Sequence, residues 1–132
     1  MVVDGAGPPC HHRPVVGVAP TQPDLRELAR YARRVQDRWP LECAVLGGTR
    51  VGGTLPGPDA PAYLLVLVSP LFDGVPWLER VHQATALWDA TAMGGAAEVH
   101  CYTPVELERR RTTLRSIQQV LAGGVDLLAL RR

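Results

Sequence analysis

Leu46-Gly47-Gly48-Thr49-Arg50-Val51-Gly52-Gly53-Thr54, then a Pro-rich connector, then Tyr63-Leu64-Leu65-Val66-Leu67-Val68, is the stretch on which the fold turns. The apolar run from Tyr63 is of the kind expected for a strand covered on both faces, and Ser69-Pro70 ends it. The segment before it, Gly47 to Pro61, holds five Gly and three Pro in fifteen residues and is predicted to be a loop. A short strand, Leu41 to Leu46, leads into that loop and is stopped by Gly47-Gly48. A Gly-rich loop leaving a strand invites a phosphate-binding reading, and Gly47 to Gly52 has the G-x4-G spacing of a Walker loop. The Lys that should follow is Gly53, and Pro56 and Pro58 stand where a helix would open, so that motif is excluded.

Outward from this stretch, helices are predicted on both sides. Thr21-Gln-Pro-Asp24 reads as a capping box, after which Leu25, Leu28, Ala32, Val35 and Trp39 fall on one stripe until Pro40. Downstream, a helix is expected from Pro76 to Thr91, presenting Leu78, Val81, Thr85 and Trp88 and closed by Gly94-Gly95. Ala97 to Tyr102 is a third strand. Thr103-Pro-Val-Glu106 is a second capping box, with Pro at the first helical position, opening a helix that runs to Ala122 and ends at Gly123-Gly124. Val125 to Leu130 is left as a short apolar tail. The order α-β-loop-β-α-β-α predicts an α/β (α+β) domain, a small mixed sheet flanked by helices, over residues 21–132. Residues 1–20 carry four of the twelve Pro and read as a flexible N-terminal tail.

Composition bounds the function classes. The 132 residues are 46% hydrophobic and 20% charged, with a formal net charge of +1, so no bulk pull toward nucleic acid or an anionic membrane is implied. All fourteen cations are Arg, which removes Schiff-base chemistry and any Lys-dependent phosphate loop, and suggests a GC-rich bacterial source. Cys10, Cys43 and Cys101 form neither a disulfide framework nor a C-x-x-C pair, and no signal peptide or membrane-length apolar run is visible. A cytoplasmic protein with reduced thiols is the expectation. Cys10-His11-His12 carries metal-ligand types in adjacent positions, a spacing that does not converge on one ion, and Arg109-Arg110-Arg111 reads as a solvated helix face among Glu106 and Glu108.

The ordered set Leu46-Gly47-Gly48, the Gly/Thr/Arg loop, the Leu/Val strand, Ala97-Glu98-Val-His-Cys-Tyr-Thr-Pro-Val-Glu-Leu-Glu108 and Val125-Asp126-Leu-Leu128 resembles the minimal nucleotidyltransferase domains of the polymerase-beta-like superfamily. The resemblance covers residues 24 to 130. It implies a cleft in which Gly47, Gly48, Thr49 and Arg50 offer donors to a ligand and Tyr63 stands at the entry of the second strand. It also implies an Asp-x-Asp pair there and a third carboxylate on the neighbouring strand, together holding two metal ions. The pair is broken. Counting ten residues from Gly48 reaches Asp59, whose partner position is Pro61, and counting back from the strand gives Pro61 and Tyr63. Only Glu98 keeps the third position. A degenerate member of the family is therefore expected, with no bound metal or other cofactor.

Glu98 and His100 alternate onto one strand face, so an acid/base role is assigned to Glu98, His100 and Asp59, with Gly47, Gly48, Thr49, Arg50 and Tyr63 binding the ligand. The leading expectation is a repurposed small-molecule cleft, with or without metal-free catalysis, in a setting such as specialised metabolism. Two rivals stand beside it. One is an antitoxin-like or other protein-binding pseudo-nucleotidyltransferase, working with a protein partner or as a homodimer. The other is an active nucleotidyltransferase using Asp59, Glu98 and a further acid such as Asp73 or Asp89.

Overall fold

A computed structural model describes residues 24–51 and 61–130. Asp59, Thr54, the Cys10-His11-His12 group and the proposed N-terminal tail lie outside these residues.

The first helix, α1 (Leu25–Arg38), starts at Asp24, whose carboxylate accepts from the amides of Arg26 and Glu27 at 3.0 and 3.1 Å. The N-cap is thus Asp24, the last residue of the predicted box, which satisfies free amides of the first turn directly. Leu28, Tyr31, Ala32 and Val35 are buried, and the stripe packs on the sheet.

The sheet has four strands: β1 (Cys43–Gly47), β2 (Tyr63–Val68), β3 (Ala97–Tyr102) and β4 (Val125–Asp126), in the order β3-β2-β1-β4. β1 runs antiparallel to β2 and to β4, whereas β2 and β3 are parallel. The expected mixed sheet flanked by helices is therefore present. The apolar tail contributes more than predicted, because Val125 and Asp126 pair with Leu46 and Val45 before a 3-10 turn at Leu127–Ala129.

Strict alternation divides the sheet residues between two cores. Ala44, Leu46, Tyr63, Leu65, Leu67, Val99 and Cys101 join α1, Phe72, Ala84, Trp88 and Met93 in one. Cys43, Val45, Leu64, Val66, Val68 and Tyr102 join Leu107, Ile117, Val120 and Leu121 in the other. β1 and β2, the central strands, are buried at every position and feed both cores.

Two predicted helices are each broken in two. The first divides into α2 (Trp77–Ala86) and α3 (Ala90–Met93), because Asp89 caps the amide of Ala92 and starts a new turn, while the Trp88 indole donates to the Gly95 carbonyl at 2.9 Å. The second divides into α4 (Pro104–Arg111) and α5 (Arg115–Gly123). There the hydroxyls of Thr112 and Thr113 donate to the carbonyls of Arg109 and Arg110 at 3.0 and 3.3 Å, competing with continuation of the helix. The capping box at the start of α4 forms as predicted, with Thr103 and Glu106 bonding each other's amides. Cys43 is disulfide-bonded, contrary to the expectation of reduced thiols, whereas Cys101 is a free, buried thiol.

The turn after β1 depends on one glycine. Gly48 has φ +120°, and a Cβ on it would lie 2.2 Å from the Ala62 carbonyl oxygen and 2.6 Å from the Tyr63 Cα. Replacement by any L-residue meets both an unfavourable backbone region and backbone atoms that cannot yield. Gly48→Ala is expected to cost about 3 kcal/mol, read as a lower denaturant midpoint at unchanged m-value.

Candidate functional site

The Gly47–Val51 turn folds back on the chain before β2. The Thr49 amide donates to the Pro61 carbonyl at 2.9 Å and the Arg50 amide to the Ala62 carbonyl at 3.1 Å. The Thr49 and Arg50 amides, two of the donors assigned to a ligand by the sequence, are thus engaged in extending the β1–β2 pairing. Arg50 lies over the Tyr63 ring, 5.7 Å from its centroid, and its Nε donates to the Tyr63 hydroxyl at 3.1 Å. That hydroxyl donates in turn to the Met93 carbonyl at 2.7 Å. Tyr63 itself is buried against Trp88, which meets Tyr31 edge-on.

Glu98 and His100 stand on the other face. In the strand register Gly47, Leu64 and Glu98 form one row across the sheet, and Val45, Val66 and His100 the next. The sheet therefore separates Arg50 and Tyr63 from Glu98 and His100. On β2 the positions sharing the Glu98 face are Leu64, Val66 and Val68, none of which can bind a cation. Among the described residues no group of three or more His, Cys, Asp and Glu is placed to hold a metal ion. Asp89 is engaged as the α3 cap, and Asp73 closes the short turn Pro70–Phe72.

Glu98 and His100 do meet. The Glu98 carboxylate lies 2.8 Å from His100 Nε2, and His100 Nδ1 lies 2.9 Å from the Tyr102 hydroxyl. A carboxylate can only accept, so Nε2 carries the proton, and Nδ1 is left to accept from the phenol of neutral Tyr102. Burial pushes the Tyr102 phenol above its ordinary range, with Arg110 opposing, so the hydroxyl stays protonated and donating at neutral pH. Three alternate residues of one strand thus form a continuous carboxylate–imidazole–phenol chain. Cys101, between them on the opposite face, has its thiol pushed up to about 12 by burial and is inert.

Tyr102 borders a cavity of about 550 Å³ that also has Trp77, Arg80, Glu106, Arg109, Arg110 and Thr113 in its wall. The Trp77 and Tyr102 rings pack at 5.4 Å, and Trp77 meets the edge of His100 at 6.3 Å. Arg80 is 6% exposed and makes the cavity floor. Its guanidinium donates to the carbonyls of Val75 and Cys101 and to the Glu106 carboxylate, at 2.8, 3.1 and 2.7 Å. The hydrogen bond from Arg80 holds the Glu106 carboxyl below the usual carboxylate range, against a smaller opposing effect of burial.

Of these residues the sequence placed Arg109 and Arg110 on a solvated helix face among Glu106 and Glu108, while Arg80, Tyr102 and the cavity role of α4 were missed. A signal existed for α4, since Glu106, Arg109, Arg110 and Thr113 sit at i, i+3, i+4 and i+7 and so share one side.

No family model, curated protein or solved structure matches this chain. Among the described residues no helix is long and apolar enough to cross a membrane.

The Arg80–Glu106 pair makes the fold sensitive to acid. A carboxyl with a depressed folded-state pKa contributes stability above its unfolded value, and that contribution disappears as pH falls through the folded value. Thermal melts from pH 6 down to pH 2 should therefore lose stability more steeply below the ordinary carboxylate range for wild type than for Glu106→Gln. Arg80→Met leaves two carbonyls and a carboxylate without their donor, and is expected to cost about 3 kcal/mol in denaturant unfolding at neutral pH.

Proposed function

We propose that this protein is a degenerate nucleotidyltransferase-fold domain whose cleft has been turned to metal-free acid/base chemistry on a small molecule. The observation that carries the reading is the Glu98–His100–Tyr102 chain, which ends at the wall of the Trp77–Arg110 cavity. The fold assignment is supported by the mixed sheet, the Gly47-Gly48 turn after β1 and the acidic position on β3 beside β2. The lack of a carboxylate at Leu64, Val66 and Val68, the β2 positions on the Glu98 face, argues against two-metal nucleotidyl transfer. A bacterial setting in specialised metabolism fits the Arg-rich, Lys-free composition, while the disulfide at Cys43 weighs against a reducing cytoplasm.

The chemistry follows from the hydrogen-bond order. A proton taken from a substrate atom arrives on the Tyr102 oxygen as the phenol proton passes to His100 Nδ1. The imidazolium so formed is neutralised by Glu98, its partner at Nε2. Burial disfavours a phenolate at Tyr102, so the two transfers are concerted. Run in reverse, the same chain delivers a proton. His100 side-chain exposure of 20% and Glu98 exposure of 56% leave the outer end of the chain open to exchange with solvent.

The test is a small-molecule turnover screen in the presence of a chelator, read by mass spectrometry with wild type, His100→Ala and Tyr102→Phe. Consumption by wild type that falls ~100-fold in both variants, with their melting temperatures retained, is the expected result. Turnover only with added divalent cation, with nucleotide left on a substrate, would overturn the reading in favour of an active nucleotidyltransferase.

A further inference from the structure

We propose that the cavity beside Tyr102 selects a planar organic oxyanion, an aromatic carboxylate or phosphate ester. Arg109 and Arg110 take the charged group and Trp77 covers the ring. The inference rests on the reading of this cavity as the functional cleft and adds the class of molecule it takes.

Charge comes first. The wall holds three Arg and one Glu, a net of +2 by formal charge. Arg80 and Glu106 neutralise one another at 2.7 Å, and Arg80 has two backbone carbonyls besides. Arg111, next along the helix, turns to Glu108 at 3.2 Å. Arg109 and Arg110 have no acidic partner among the described residues, and both are exposed. Two uncommitted guanidinium groups on the same side of α4 offer paired donors in the planar geometry that carboxylates and phosphates accept.

Shape comes second. Trp39 packs on Phe72 and Trp88 on Tyr31 and Tyr63, so each serves a core. Trp77 is 40% exposed and is the aromatic residue left facing the cavity, tilted 38° to the buried Tyr102 ring. The Arg80 guanidinium lies 6.0 Å from the Trp77 ring centroid and braces its position. A part-exposed indole on the cavity wall, beside two cations with no acidic partner among the described residues, fits a molecule with a flat apolar body and an anionic end. The cavity volume of about 550 Å³ suits a small molecule. The oxyanion would also sit near the Tyr102 end of the proton chain.

Calorimetric titration of the full chain with benzoate and phenyl phosphate tests this directly, with benzamide as the neutral match and acetate and inorganic phosphate as anions without a ring. At least one aromatic oxyanion should bind with a submillimolar Kd, at least ~10-fold tighter than benzamide and than its ringless counterpart. Tighter binding of phenyl phosphate assigns a phosphate ester, and tighter binding of benzoate a carboxylate. The double variant Arg109→Gln, Arg110→Gln should weaken binding by ~10-fold or more, and Trp77→Ala should weaken the aromatic anions while leaving acetate unchanged. Circular dichroism melts check that these surface variants fold. Equal affinity for benzamide, unchanged affinity in the double Arg variant, or no saturable binding below ~10 mM overturns the proposal. Oxyanion binding without turnover of any substrate would then remove the acid/base reading alone, and turnover without oxyanion binding would remove the ligand class alone.

Discussion

The Arg80 guanidinium is the point through which this structure is tied together. A buried cation is stable only when its donors are matched, and each partner here comes from a different part of the chain. Val75 belongs to the segment before α2, Cys101 to β3 and Glu106 to the first turn of α4. Satisfying one side chain thus fixes the distance between α2 and α4 across the end of β3. The cavity exists because these two helices are held apart at that distance with Arg80 between them. Glu106 also closes the α4 capping box, so one carboxylate starts a helix and neutralises the cation beneath the cavity.

The sheet then keeps two sets of polar side chains from meeting. On the α1 side, Arg50, Tyr63 and the Met93 carbonyl form a closed group whose hydroxyl is buried and fully bonded. On the α4 side, Glu98, His100 and Tyr102 run in line toward the open cavity. Both sets begin near the same end of the sheet, but strand alternation directs them to opposite layers. A functional reading has to choose between the faces. The open cavity, the uncommitted cations and the exposed Trp77 all belong to the second.

Much of the fold was legible because it is local. The β2 run, the β3 boundaries and the Thr103–Glu106 capping box depend on neighbouring residues and came out as read. The breaks at Asp89 and at Thr112-Thr113 were missed because apolar periodicity continues through them, while side-chain bonds to nearby backbone stop the helix. In the site, period-two alternation correctly placed Glu98 and His100 on one face. The same rule, carried one step further, reaches Tyr102, the last residue of the predicted strand, to which no role was assigned. Arg80 left no comparable trace. Its carbonyl partner Cys101 lies 21 residues away, and nothing in the spacing announces that a surface-type residue within a helix turns inward.

Arg80 also changes what the margin of the sheet can do. β3 is an outer strand, and since the Tyr102 carbonyl accepts from Ser69 on the β2 side, the Cys101 carbonyl faces outward. An outward row of backbone groups is a template on which another chain's strand can grow. Here α2 packs against β3, and its arginine holds the Cys101 carbonyl in a charge-assisted bond. A second chain could add to the sheet at that point only by displacing a buried cation from three partners. The residue that shapes the cavity is therefore also a barrier to strand addition at the rim of the folded sheet.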